Sequence, residues 1–287
     1  MANALPAQSA GTIDVGGAGT VPRLGFGAMR ITGPGIWGPP ADHDAALAVL
    51  RRAVELGVTF IDTADSYGPD VSEELIAEAL HPYADDVVVA TKGGLLRDGP
   101  GQWRPDGRPE HLRAACEGSL GRLGLDRIDL YQLHRPDPAV PWEESVGTLV
   151  ELRDEGKVAH IGLSNVDVDQ LDRALELTPI VSVQNRYNSI DRSSDDVLAR
   201  CEERGIAFIP YSPVGGEDLR VGDAVQAVAA RHGASPVQVA IAWLLARSPQ
   251  MLPIPGTGSV AHLEENVAAA ALELTDDELS AVSSAAR

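Results

Sequence analysis

Residues 46–62, ALAVLRRAVELGVTFID, contain a structural unit that recurs along the chain. Apolar side chains repeat at the spacing of one buried helix face, at Ala46, Leu47, Leu50, Ala53 and Val54. Gly57 then stands where helices commonly end, because glycine adopts the left-handed conformation without a steric penalty. The apolar run 58–61 follows and ends at Asp62. The unit therefore predicts a helix, a glycine, a buried strand and a polar strand end.

Short apolar runs of this kind recur over the whole length. They are too short for helices and rich in Val, Ile or Leu, as strands buried on both faces should be. The eight runs are residues 24–27, 58–61, 87–90, 128–133, 158–163, 180–183, 206–209 and 251–254. Gly124, Gly156 and Gly205 each stand between a helical pattern and the next run, as Gly57 does.

Alternating strands and helices indicate parallel strands joined by helical crossovers. A closed (β/α)8 TIM barrel and an open doubly wound sheet both fit this pattern. Eight runs in 287 residues favour the α/β barrel, and no G-x-G-x-x-G follows an early strand. Segments 12–15 and 21–24, around Gly16, predict an N-terminal β-hairpin at the barrel floor, and Thr275 with Glu278 predicts the capping box of a C-terminal helix. We expect a single domain over residues 1–287.

The composition excludes several classes of protein. Lys and Arg number 23 and Asp and Glu 42, which gives a net charge of −19 and argues against nucleic acid or anionic lipid as a partner. No apolar run is long enough to span a membrane, and residues 1–11 do not resemble a signal peptide. Cys116 and Cys201 are expected to be reduced structural thiols of a cytoplasmic protein. No metal-ligand spacing is present.

Polar residues follow the predicted strands where a barrel places its active site. Each of them alone is commonly a turn, a cap or a solvated side chain, but together they predict a site. They are Asp62, Tyr67, Lys92, His134, Ser164, Asn165, Gln184, Asn185, Tyr211 and Ser212, with the segment 255–259.

Four of these residues form a chemically coherent set. Tyr67 has a reference pKa of about 10, too high for easy proton donation at neutral pH. A cation about 4 Å away contributes roughly 4 kcal/mol at an effective dielectric near 20, or about three pKa units. Lys92 is placed to supply that charge and Asp62 to orient Lys92, while His134 is a candidate hydrogen-bond partner of the reacting oxygen. The set predicts proton donation to a carbonyl oxygen as hydride arrives from elsewhere.

The chain resembles the aldo-keto reductases over almost its whole length. The matching segments are FIDTADSYG at 60–68, ATK at 90–92, LYQLH at 130–134, IGLSN at 161–165, VQN at 183–185, and PIPGT at 253–257 through Glu265 and Asn266. The resemblance implies a (β/α)8 barrel, an NADPH-dependent carbonyl reductase, and Asp62, Tyr67, Lys92 and His134 as its catalytic residues.

The same resemblance implies a cofactor that extends across the barrel mouth. Tyr211 would stack on the nicotinamide, and its carboxamide would meet Ser164, Asn165 and Gln184. Ser212, Pro213 and the glycines after them would pass near the pyrophosphate. The residues implied at the adenosine end are Gly256, Thr257, Ser259, His262, Glu265 and Asn266.

One feature departs from the family pattern. Residues 251–271 contain no Lys or Arg, and His262 stands where relatives often carry Arg to hold the 2′-phosphate of NADPH. NADH therefore remains open as a cofactor. Arg220, after the seventh predicted strand, is a candidate helper or a solvated loop cation.

The segments GFGAM at 25–29, GPGIWGPP at 33–40 and IPGTGSVAHL at 254–263 are similar to bacterial pyridoxal reductases of this family. Pyridoxal or another small aldehyde or ketone is then the implied substrate. Trp37 and Trp103, in the loops after the first and third predicted strands, are candidates to line its pocket or to pack those loops. Arg186 and Tyr187 either reach the substrate or brace their loop.

Two other functions remain open. A Schiff-base lyase would use Lys92 as its nucleophile. A sensor or binding subunit would hold the cofactor with little turnover. The sequence does not fix the substrate, the direction of the reaction or the oligomeric state.

Overall fold

The computed structural model describes residues 5–213 and 222–284, so Arg220 and the glycines after Pro213 lie outside the described residues. The strands, numbered in chain order, are β1 Thr12–Asp14, β2 Thr20–Pro22, β3 Phe26–Gly27, β4 Phe60–Asp62, β5 Val88–Gly93, β6 Leu95–Gly99, β7 Gln102–Pro105, β8 Ile128–Leu133, β9 Val158–Ser164, β10 Ser182–Arg186 and β11 Ala207–Tyr211. The helices are α1 His43–Glu55, α2 Val71–Leu80, α3 Pro109–Leu123, α4 Trp142–Asp154, α5 Val168–Leu177, α6 Asp195–Arg204, α7 Asp223–His232, α8 Pro236–Arg247, α9 Val260–Ala268 and α10 Asp276–Ser284.

Seven parallel strands form the central sheet. Their spatial order is β3, β4, β5, β8, β9, β10, β11, which follows the order of the chain. Seven of the eight predicted runs thus form strands of one sheet. Since α1 to α6 lie between successive strands along the chain, the carboxyl ends of all seven strands meet on one side.

The eighth predicted run closes the sheet with a minimal contact. Met251 forms a single parallel bridge with Phe208 of β11, and the Leu252 amide donates to the Phe208 carbonyl over 2.9 Å. On the other side, the Gly25 amide donates to the Pro253 carbonyl over 2.9 Å, beside β3. Because Pro253 has no N–H to donate, a regular ladder stops here. The fold is a (β/α)8 barrel in which this last strand is reduced to a bridge.

The glycines between helix and strand confirm their predicted role. Gly57, Gly124, Gly156 and Gly205 all have positive φ, between 65° and 89°. In α1, Asp42 caps the first turn by accepting from the Ala45 amide over 2.9 Å. The predicted apolar face is largely buried, since the buried residues of α1 are Ala46, Leu47, Val49, Leu50 and Ala53.

Both chain ends form the predicted accessory elements. β1 and β2 pair as an antiparallel hairpin, with Ile13 opposite Val21. These two side chains pack with Phe60 and Leu130 in one apolar cluster inside the barrel, so the hairpin fills the floor. At the other end, the Thr275 amide donates to the Glu278 carboxylate over 3.0 Å in the predicted capping box of α10.

A second hairpin was not expected from the sequence. β6 and β7 pair antiparallel directly after β5, where the sequence indicated only a long loop that carries Trp103. The strands turn at Pro100 and Gly101, and Gly101 has φ 70°, the conformation that suits a proline–glycine turn. The hairpin fixes Trp103 in a β-strand.

Both cysteines are buried free thiols, Cys116 in α3 and Cys201 in α6. Burial raises the pKa of each thiol to about 12. Among the described residues, no helix has the length and apolar character that crossing a bilayer requires. The same residues contain no group of three or more His, Cys, Asp or Glu side chains placed to hold a metal ion.

Candidate active site

A cavity of about 1000 Å³ opens at the carboxyl ends of the barrel strands. Most of the predicted site residues line it, which confirms that the strand ends converge. The predicted residues in its wall are Asp62, Tyr67, Trp103, His134, Ser164, Asn165, Gln184, Tyr211, Ser212, Pro213, Gly256, Thr257, His262 and Asn266. Lys92 lies behind this wall, fully buried, while Trp37, Ser259 and Glu265 are not part of it.

Asp62 and Lys92 form a buried ion pair between β4 and β5. Lys92 Nζ lies 2.7 Å from Asp62 Oδ2 and 2.8 Å from the Thr63 carbonyl oxygen. Burial alone would lower the pKa of Lys92, but the charge of Asp62 and the hydrogen bonds with Asp62 and Tyr67 outweigh it and raise that pKa above its usual value. Lys92 is therefore a charged ammonium at neutral pH.

Two amide side chains hold the other oxygen of Asp62. Gln184 Nε2 donates to Asp62 Oδ1 over 2.7 Å, and Gln132 Nε2 donates to the same atom over 3.3 Å. The Ser182 hydroxyl in turn donates to Gln132 Oε1 over 3.4 Å. Sequence reasoning missed Gln132, although its place two residues before His134 on a buried strand puts it inside the barrel. Since Gln184 uses one N–H to hold Asp62, its amide oxygen and its second N–H remain for a cofactor carboxamide.

The Tyr67 ring lies between Lys92 and His134 and is only 6% exposed. Lys92 Nζ is 5.2 Å from the Tyr67 ring centroid, and the His134 ring packs edge-on at 5.8 Å. Lys92 lowers the pKa of Tyr67, as expected, but burial has the larger effect and the net pKa is raised. The expectation of a lowered pKa was wrong because it counted the cation without the cost of burying a phenolate. Tyr67 therefore carries its proton at neutral pH.

His134 is a neutral imidazole. Burial lowers its pKa well below the usual value, and the charges of Lys92 and Arg135 lower it further. Its Nδ1 lies 3.3 Å from the Ser66 hydroxyl, which fixes the ring beside Tyr67. A neutral ring can donate one hydrogen bond to an oxygen near Tyr67 without adding a second positive charge beside Lys92.

Asn165 connects the side of the cavity that holds His134 with Tyr211. It has φ 60°, and its Nδ2 donates to the His134 carbonyl over 3.0 Å and to the Ser164 hydroxyl over 2.9 Å. The Tyr211 hydroxyl donates to Asn165 Oδ1 over 2.8 Å, and Arg135 Nη2 donates to the same oxygen over 3.3 Å. Arg135 lines the cavity and was missed by sequence reasoning, because only the fold brings its side chain back over β9.

The far end of the cavity surrounds the start of α9. Ser259 caps this helix and Thr257 Oγ1 accepts from the Ser259 amide over 3.1 Å, so Ser259 shapes the wall from behind. A Cβ on Gly256 would lie 2.2 Å from the Gly27 carbonyl oxygen. The two segments are therefore packed backbone to backbone, and the amides that begin α9 fit a bound phosphate. Arg30, which also lines the cavity, provides a cation that the segment 251–271 lacks.

The aromatic candidates have different environments. Trp103 lines the cavity and meets the Tyr67 ring edge-on, with centroids 6.5 Å apart. Trp37 is 36% exposed and lies near Arg97, whose Cζ is 5.6 Å from the Trp37 ring centroid.

Arg186 and Tyr187 brace their loop. Arg186 pairs with Asp191 over 3.0 Å. Tyr187 is fully buried and stacks on Trp243, with ring centroids 6.1 Å apart. Of the two roles considered for this pair, the structure shows the bracing one.

Comparison with known proteins gives concordant matches. The model of the Aldo/keto reductase family matches residues 23–287. An uncharacterised oxidoreductase of Schizosaccharomyces pombe is 49% identical over 276 residues, which cover 96% of this chain and 90% of that protein. Pyridoxine 4-dehydrogenase of Escherichia coli is 44% identical over 278 residues, which cover 94% of this chain and 97% of that protein.

Solved structures match over almost the whole chain at lower identity. The glycerol dehydrogenase of Gluconobacter oxydans superposes with a TM-score of 0.86 at 27% identity, covering 96% of this chain and 95% of that one. An aldo/keto reductase of Klebsiella pneumoniae in complex with NADP and acetate superposes with a TM-score of 0.78 at 28% identity, covering 94% of this chain and 93% of that one.

Proposed function

Because the chain belongs to the aldo/keto reductase family, we propose that it is an NADPH-dependent reductase that converts pyridoxal to its alcohol, with Tyr67 as the general acid. The observation that carries the proposal is the buried, protonated Tyr67 phenol between the Lys92 ammonium and the neutral His134 ring. A proton donor, a cation that stabilises the phenolate left behind, and a hydrogen-bond donor thus meet at one cavity.

The cavity fits a dinucleotide. Its volume of about 1000 Å³ extends from Asp62 to Asn266 and includes the segment that precedes α9. The Klebsiella pneumoniae relative was crystallised with NADP, which supports NADPH as the cofactor here. When bound, the cofactor supplies a hydride to the carbonyl carbon.

The protein supplies the proton and the electrostatics. As the carbonyl oxygen gains negative charge, the Tyr67 O–H bond breaks and its proton moves to that oxygen, which gives the alcohol. The phenolate that remains is stabilised by Lys92, whose charge Asp62 maintains at 2.7 Å. His134, held by Ser66 and kept neutral, donates a hydrogen bond to the same oxygen.

Pyridoxal as substrate rests on two observations. The Escherichia coli relative is named pyridoxine 4-dehydrogenase, which connects this branch of the family with the alcohol at the 4 position of that ring system. In this chain, Trp103 places an exposed aromatic surface next to Tyr67. A planar aromatic aldehyde stacked there would bring its carbonyl group near the proton donor.

A Schiff-base lyase is not supported. Such an enzyme needs a neutral amine as nucleophile, whereas Lys92 is fully buried, paired with Asp62, and has a raised pKa. A subunit that only holds the cofactor would show tight NADPH binding without aldehyde reduction.

The test is the loss of NADPH absorbance on addition of pyridoxal, with NADH measured in parallel and Tyr67→Phe as the matched variant. We expect pyridoxal-dependent oxidation of NADPH that falls at least a hundredfold in Tyr67→Phe, since general acids typically contribute about 10² to 10⁴ in rate. NADPH affinity should remain unchanged in the variant. If NADPH absorbance falls with other aldehydes but not with pyridoxal, only the choice of pyridoxal as substrate is refuted. Full activity in Tyr67→Phe would refute the mechanism.

A further inference from the structure

Arg97 in β6 lies directly opposite Trp103 in β7. Its Cζ is 3.6 Å from the centroid of the Trp103 ring and 5.6 Å from that of Trp37. The guanidinium therefore covers one face of the Trp103 indole, while Trp103 lines the cavity and remains 37% exposed. Both tryptophans that the sequence suggested for substrate contact are thus organised by one cation.

The same guanidinium ties three segments of chain together. Nη1 donates to the carbonyl oxygens of Ile36, over 2.7 Å, and Ser66, over 3.1 Å. Nη2 donates to those of Gly35, over 2.9 Å, and Gly99, over 3.4 Å. Ser66 directly precedes Tyr67, so Arg97 links the loop that carries Trp37, the turn that carries the proton donor, and the hairpin that carries Trp103.

The positive charge of Arg97 is not neutralised by a carboxylate within the described parts of the chain, since its four hydrogen bonds all go to backbone carbonyl oxygens. Its Nε is buried without a hydrogen-bond partner. A guanidinium that is partly desolvated against an indole interacts more strongly with the ring than an exposed one does. The charge therefore acts through the Trp103 ring on whatever lies against the cavity side.

We propose that Arg97 is the specificity-determining residue of this pocket: it holds Trp103 as an aromatic wall and makes that wall favour planar rings that carry an anionic group over rings whose only charge is cationic and over short aliphatic chains. This inference rests on the proposed function, because it assigns the substrate class of the same site. A chain with net charge −19 otherwise disfavours anions, so an anion preference in this cavity requires local cations such as this one.

The experiment compares Arg97→Met and Arg97→Lys with the wild type. Arg104→Met is the matched control, since Arg104 lies in the same hairpin but is exposed and paired with Asp98 over 3.3 Å. Substrates are 4-formylbenzoate, its trimethylanilinium counterpart of opposite charge, and propanal. In Arg97→Met we expect kcat/KM for 4-formylbenzoate relative to the cationic aldehyde to fall about tenfold, chiefly through KM. Because Arg97 also holds the turn before Tyr67, the measured quantity is this ratio, and propanal reports any loss that is common to all substrates.

Arg97→Lys retains a charge but cannot form the same four hydrogen bonds or lie flat on the indole. It should raise KM for both aromatic aldehydes while preserving most of the ratio of their kcat/KM values. Arg104→Met should change neither these KM values nor this ratio. Equal losses on all three aldehydes in Arg97→Lys, or an unchanged charge ratio in Arg97→Met, would overturn the proposal.

A second measurement separates this inference from the proposed function. Quenching of tryptophan fluorescence gives the Kd of benzoate and of benzyltrimethylammonium without any turnover. The wild-type protein should bind benzoate more tightly than benzyltrimethylammonium, and the ratio of the two Kd values should be about tenfold smaller in Arg97→Met. If no aldehyde is reduced but the preference for benzoate falls in Arg97→Met, the proposed reaction is refuted and the role of Arg97 is supported. If aldehydes are reduced but that preference is the same in Arg97→Met and the wild type, the role of Arg97 is refuted.

Discussion

Replacing Asp62 with Asn would remove the counter-ion of a fully buried lysine with almost no change in shape. At the observed 2.7 Å, two unit charges attract by about 6 kcal/mol at an effective dielectric of 20. The cost of burying both charges offsets part of this attraction, and removal of one partner from a buried pair typically costs about 3–5 kcal/mol. At about 2 °C per kcal/mol for a large domain, we expect Tm to fall by roughly 6–10 °C.

Asp62→Asn should also lower the rate of aldehyde reduction, for a reason separate from the loss of stability. Without Asp62, burial becomes the dominant influence on the pKa of Lys92 and lowers it, so the positive charge of Lys92 is less favoured. Lys92 then stabilises the Tyr67 phenolate less well, and proton transfer from Tyr67 becomes less favourable. We expect the rate of aldehyde reduction to drop about a hundredfold or more at neutral pH.

The assay combines thermal unfolding with NADPH oxidation at a temperature below both transitions. Asp44→Asn serves as the control, because Asp44 is fully exposed on α1. In the double variant Asp62→Asn/Lys92→Met no buried charge is left unpaired, so it should lose less stability than the sum of the two single changes. Strict additivity, or a Tm of Asp62→Asn within 1 °C of the wild type (roughly 0.5 kcal/mol at this size), would refute the reasoning.

The pH dependence of this stabilisation follows from the sign of the Lys92 shift. The folded-state pKa of Lys92 is raised above its unfolded value of about 10.4. The stability it contributes is therefore fully present below about pH 10.4 and is lost as the pH rises through the folded-state pKa. In the neutral range the contribution of Lys92 should be constant.

Three further outcomes are expected. Gln132→Leu should lower kcat without weakening NADPH binding in a fluorescence titration, because Asp62 Oδ1 loses one donor; unchanged kcat would exclude this role. Gly256→Ala should weaken NADPH binding at least tenfold, since its Cβ would meet the Gly27 carbonyl oxygen at 2.2 Å, whereas Gly121→Ala, with open space, should bind normally; equal affinities would contradict the close approach. NMR should show neutral His134 at pH 6–8, with its contribution to stability declining below about pH 6.5; titration near 6.5 would contradict this.

Local pattern predicted most of the fold. The helix–glycine–strand unit around Gly57 recurs because each βα unit has the same local requirements, and seven of the eight runs are strands of one sheet. The eighth run was placed correctly, but its pairing is reduced to a bridge because Pro253 cannot donate to a ladder. The hairpin of β6 and β7 does have a local signal, the proline–glycine pair at Pro100 and Gly101.

The site was predicted less completely, because its chemistry depends on contacts between distant parts of the chain. Asp62, Tyr67 and His134 meet at one cavity, with Lys92 behind it. Three of the four hydrogen bonds of Arg97, by contrast, join residues 31 to 62 positions apart, and no spacing in the sequence encodes them. The pKa of Tyr67 also depends on burial, which counting neighbouring charges does not reveal.

The two buried cysteines give the molecule an internal reporter of its own opening. A thiol with a pKa of about 12 holds almost none of the thiolate that reacts with a maleimide at neutral pH, and neither side chain is exposed. Labelling therefore has to wait until the structure opens. Cys116 lies in α3 and Cys201 in α6, so their separate labelling rates would compare opening around these two helices without any engineered residue.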